Sequence, residues 1–125
     1  MTTDNDFGQA LERELGAVKE RLGADWQLSV GQESGYGNPF MWFVELRSEN
    51  SNTAVRVWWR GAEVFLSAFL GVSYEASAEL FTRSARRVAG LVGALCSGRY
   101  RRHDGVVSVA TNWLTRVDLT EWADG

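Results

Sequence analysis

The chain has 125 residues, 45% of them apolar and 23% charged, with a net charge of −3 and six tryptophans. That length and balance fit one globular domain over residues 1–125 with a core of its own, and they exclude a disordered or fibrous chain. The single Cys96 and single His103 allow neither an internal disulfide nor an ordinary zinc site, so no metal and no cofactor is expected.

Met1–Asp6 is acidic and polar, and no apolar run approaches the roughly 18 residues of a membrane span, so the expected compartment is the cytoplasm. Charge is uneven along the chain. Residues 1–79 carry 12 acids and 6 bases (−6), residues 80–103 carry 6 Arg and no acid (+6), and residues 104–125 carry 4 acids and 1 Arg (−3). A mildly acidic chain without a recognition motif argues against nucleic acid.

Phe7, Leu11, Leu15, Val18 and Leu22 recur every three or four residues, which predicts a first helix with one apolar stripe, closed at Gly23. Trp26, Leu28 and Val30 alternate with polar residues as a half-buried strand does. Gly31–Phe40, with Gly35, Gly37 and Pro39, reads as irregular turn chemistry. Three strands follow, Met41–Arg47, Thr53–Arg60 and Glu63–Leu70, the last two joined by a tight turn at Gly61-Ala62.

Ser73 is expected to cap a long second helix, with Glu75 and Glu79 at its positive end. Its stripe is Phe81, Ala85, Val88, Val92 and Leu95, broadened by Leu91 and Cys96. Gly90 and Gly93 weaken this helix, and the steric reading is close backbone packing there. After Gly98, Arg99–His103 and Val106–Ala110 form a hairpin around Asp104-Gly105. Asp118 and Glu121 have capping-box spacing, which suggests a short last turn. The order α-β-β-β-β-α-β-β predicts an α+β domain, an antiparallel sheet with two helices packed on it.

Strand alternation separates an apolar set (Trp42, Val44, Leu46, Val55, Val57, Trp59, Val64, Leu66, Ala68, Leu70) from a mixed one. The mixed set holds Met41, Phe43, Arg56, Trp58, Arg60, Phe65 and Phe69, together with Glu45, Arg47, Glu63 and Ser67. Aromatic groups interleaved with charge suit the centre of a protein interface, either to another protein or to a second copy in a homodimer. Two other readings stand beside it. The second helix or the last hairpin covers this face, or the face forms a small-ligand or carbohydrate cleft with Tyr36, Glu45 and Trp58.

Catalytic signals are absent. His103 sits in a turn, Cys96 lies on an apolar stripe, and Gly35-Tyr36-Gly37 lacks the helix that a phosphate loop requires. The Arg83–Arg102 basic run reads as a solvated face, a docking patch for an acidic partner, or a nucleic-acid contact.

In element order the chain resembles the type III secretion chaperone fold. It is also similar in size and character to immunity proteins of bacterial polymorphic-toxin systems. Both resemblances imply a non-enzymatic protein-binding domain and transfer no individual residue. The chaperone fold differs in having fewer strands before the long helix and another helix at its end.

Overall fold

In a computed structural model of the chain, residues 4–35, 38–60, 63–76, 84–111 and 116–121 are described. The elements are α1 (Asp4–Leu22), β1 (Trp26–Gly35), β2 (Asn38–Ser48), β3 (Thr53–Arg60), β4 (Glu63–Leu70), β5 (Ser73–Ala76), α2 (Ala85–Cys96), β6 (Arg101–His103), β7 (Val106–Ala110) and β8 (Arg116–Glu121). The eight strands form one antiparallel sheet in the order β1-β2-β3-β4-β5-β8-β7-β6. The α+β class is the one the sequence predicts.

Both helices bury their stripes against one face of this sheet. Phe7, Leu11, Leu15 and Val18 of α1 and Val88, Leu91, Val92 and Leu95 of α2 share a core with Val44, Leu46, Val55, Val57, Trp59, Val64 and Leu66. Trp59 is the anchor. It is 1% exposed, its ring meets Phe7 edge-on at 5.3 Å and 77°, and α1 comes so close that a Cβ on Gly8 would lie 2.7 Å from Trp59 Cζ2. Gly23 (φ 113°) ends α1 by donating to the Lys19 carbonyl at 3.0 Å. Asp104 (φ 49°) and Gly105 (φ 76°) make the predicted β6–β7 turn in the left-handed conformation such a hairpin needs.

Four local expectations are corrected. First, the segment after Val30 is not a loop: β1 runs on to Gly35, and its irregularity is absorbed in a register shift between Glu33 and Gly35. Gly31 is no breaker there but a seat for the Phe43 ring, which a Cβ would approach to 3.0 Å. Second, Ser73 begins a strand instead of capping a helix. Tyr74 is 2% exposed in the core, and that burial outweighs the helix-favouring Ala and Glu around it; α2 begins at Ala85, with the Ser84 hydroxyl accepting from Arg87 N–H. The Phe81 and Glu79 assignments lie outside the described residues.

Third, the last turn is a strand, β8, with Val117 and Leu119 buried. The alternation Val117, Asp118, Leu119, Thr120 carried that signal, and the capping-box spacing obscured it. Fourth, Gly90 has nothing within 4 Å of a would-be Cβ, so close packing does not explain it; Gly93 meets Val18 at an ordinary 3.5 Å.

The far flank of the sheet curls inward. In a flat sheet β6 would stand four strand spacings from β4, roughly 19 Å, beyond the reach of one arginine. Yet Arg102 Nη2 donates to the Leu70 carbonyl at 2.8 Å and lies over the Tyr74 and Tyr100 rings at 5.4 and 5.9 Å. The flank joins the rest of the sheet through the β5–β8 pairing, which consists of only Tyr74 with Glu121 and Glu75 with Thr120.

Candidate interaction face

Adjacent tryptophans point to opposite sides of β3. Trp59 enters the core, and Trp58 stands on the face turned away from both helices. Register brings Phe43 of β2, Trp58 of β3 and Phe65 of β4 into one cross-strand row, with Gly31 of β1 at its end. The next row is Ser29, Glu45, Arg56, Ser67 and Glu75, and the one after it contains Arg47, Ala54, Phe69 and Ser73.

These rows lock together through Arg56. Its Nη2 donates to Glu45 Oε2 at 3.0 Å, and its guanidinium lies 4.3 Å from the Phe43 ring centre and 5.6 Å from that of Trp58. The Glu45 side chain is 12% exposed and that of Arg56 26%, so the pair is largely desolvated yet mutually satisfied. Arg47 adds a looser contact to Glu45 at 3.8 Å. Arg56 thus brings one carboxylate and two aromatic rings into contact on this surface.

Phe43, Trp58 and Phe65 are half-buried by each other and by Arg56, while Phe69 is 39% exposed. Met41 is half-buried at the far end, with Arg60 and Glu63 exposed opposite each other. The face therefore gathers every residue of the predicted mixed set. Among the described residues the second helix does not cover this face, because α2 packs on the opposite side.

A hollow of about 570 Å³ is sunk into the face where Ala54 and Ser67 are too small to fill the space between Trp58 and Phe69. Glu45, Arg56 and Glu75 also line it. Glu45 and Trp58 of the predicted ligand site thus border one concavity, whereas Tyr36 lies outside the described residues. The sequence did not indicate Ala54, Ser67 and Glu75 as site residues. For Ala54 and Ser67 the signal was the register that places small side chains between large ones.

The apolar set needs one amendment. Trp42 shares a face with Val44 and Leu46 but is 38% exposed. The basic run is divided among surfaces. Arg86 and Arg87 line a groove between α2 and β7, Arg99 and Arg101 border the last hairpin, and Arg102 straps the curled flank. His103 and Asp104 pair at 3.0 Å, both almost fully exposed, as a turn pair would be.

Burial pushes the Cys96 thiol up to about 12, against an ordinary 9.0, which keeps it protonated and a poor nucleophile. Among the described residues no cluster of three metal-ligating side chains occurs, and no helix is long and apolar enough to cross a membrane. No protein-family model matches the chain, and no curated protein or solved structure matches it.

Proposed function

We propose that the chain is a non-enzymatic protein-binding domain of the cytoplasm that uses the outer face of its sheet, in a chaperone- or immunity-like role. Met41, Phe43, Arg56, Trp58, Arg60, Phe65 and Phe69 are the contact residues. The observation that carries the reading is the Phe43–Trp58–Phe65 row, partly open to solvent on the side away from both helices and in contact with the Arg56–Glu45 pair. Aromatic rings and arginine with few rotamers left to freeze are the groups that dominate interface energetics. Each ring that passes from half-exposed to buried gains about 25 cal/mol per Å² of transfer free energy, and the surplus over ordering and association costs appears as affinity.

The test is site-specific photo-crosslinking in the cells that make the protein. A photoreactive residue at Trp58 or Phe65 should give a discrete protein adduct, and the same residue at Arg86 should not. Adducts at neither outer-face position, or equal adducts at all three, would remove the proposal. An adduct of twice the chain mass would identify a homodimer on this face.

The hollow supports a second reading. Its volume lies within the range of small-ligand sites, and Glu45 and Trp58 both border it, so a carbohydrate or other small ligand would stack on Trp58 there. Titrating a sugar panel by tryptophan fluorescence, with Trp58→Phe as control, separates the two readings.

A further inference from the structure

The sheet ends differently on its two sides. β6 has three residues, Arg101, Arg102 and His103, and a short cationic strand is a common guard against strand addition. β1 has ten residues, and its only charge is Glu33; it contains neither lysine nor proline. About half the backbone N–H and C=O groups of such a strand point away from β2, and among the described residues no strand occupies that side. At the middle of this edge Val30 is 45% exposed. Trp42, opposite Gln32 on the neighbouring strand, is also open to solvent.

We infer that β1 pairs antiparallel with β1 of a second copy, about a two-fold axis that runs between the two Val30 residues, perpendicular to the sheet. With both helical layers on one side, opposed side chains must share a face, so the pairing has to centre on a residue. Centring on Val30 sets Trp26 against Ser34, Gln27 against Glu33, Leu28 against Gln32 and Ser29 against Gly31. The positions 27–33 of this register precede the irregularity between Glu33 and Gly35, and the pairing brings no like charges together. The two Val30 side chains meet on the axis, and each Trp42 borders the junction. Head-to-tail pairing of β1 with β6 fits poorly, since β6 offers three residues and Arg102 is already committed to Leu70. The outer aromatic face lies on the other side of the strands and stays open in this pair, so the inference does not rest on the proposed function.

Sedimentation velocity over a micromolar to submillimolar series tests it. Wild type should dimerise. Val30→Lys and Val30→Glu, each checked for fold by circular dichroism, should each weaken the dimer by about tenfold or more through like charges on the axis. Mixing the two variants should restore it, because opposite charges then meet. Should either variant not fold, Val30→Cys in a Cys96→Ser background should give a disulfide-linked dimer on mild oxidation, since directly opposed Cα atoms stand within disulfide range. A wild type that stays monomeric overturns the proposal. So does a dimer that survives Val30→Lys but is lost in Trp58→Glu, or a mixture that does not re-form the dimer.

Discussion

Trp58 and Trp59 are neighbours in sequence and should be far apart in energetic weight. Trp59→Ala removes a ring that is 1% exposed, packed edge-on against Phe7 and facing the Gly8 backbone. Substitutions of that kind cost about 3–5 kcal/mol, because the transfer free energy is lost and a cavity remains. Trp58→Ala removes two cross-strand aromatic neighbours, Phe43 and Phe65, each contributing about 0.2–1 kcal/mol. It also removes the Arg56 contact at 5.6 Å, worth about 0.5–1 kcal/mol at a partly exposed site. The sum, about 1–3 kcal/mol, should leave the chain folded. Urea unfolding followed by far-UV circular dichroism measures both variants against wild type. Equal losses of stability would refute the assignment of the two tryptophans to opposite faces, and the proposed interaction face with it.

The packing also sets outcomes for the helical glycines and for Cys96. Gly16→Ala and Gly90→Ala place a methyl group where nothing lies within 4 Å, so each should stabilise by about 0.5–1 kcal/mol; Gly8→Ala, aimed at Trp59, should instead lower the melting temperature. A stabilising Gly8→Ala would contradict the seating of α1. The folded pKa of Cys96, about 12, lies above its ordinary 9.0, so its contribution to stability is present below pH 9 and is lost as pH rises towards 12. At pH 8 a maleimide should label the native thiol on the order of a hundredfold more slowly than the urea-unfolded one. Comparable rates would show that Cys96 is not sheltered.

The sequence was most legible where one face of an element is dry. The α1 stripe, the Val88–Leu95 stripe and the Val44–Leu70 alternation all project into the observed core, because burial imposes the period of 3.6 or 2 on the residues themselves. The mixed outer face was legible for the same reason, since alternation assigns Trp58 and Phe65 to one side whatever lies above them. Legibility failed where a residue's role depends on a distant strand. Gly31 looks like a breaker until Phe43 is known to lie across it, and Ser73-Tyr74-Glu75 looks helical until Tyr74 is seen beneath Arg102. The hollow had no local signature, because Ala54 and Ser67 become neighbours of Phe69 and Arg56 only through register.

The two-pair junction of β5 with β8 has a consequence for how the protein is made. In the sheet β8 stands between β5 and β7, although it follows both in the chain. During translation the first five strands can emerge and pair in order, as a meander built from neighbours. The β6–β7 hairpin can close on itself, but it has no place in the sheet until residue 121 has left the ribosome and β8 can enter between the two parts.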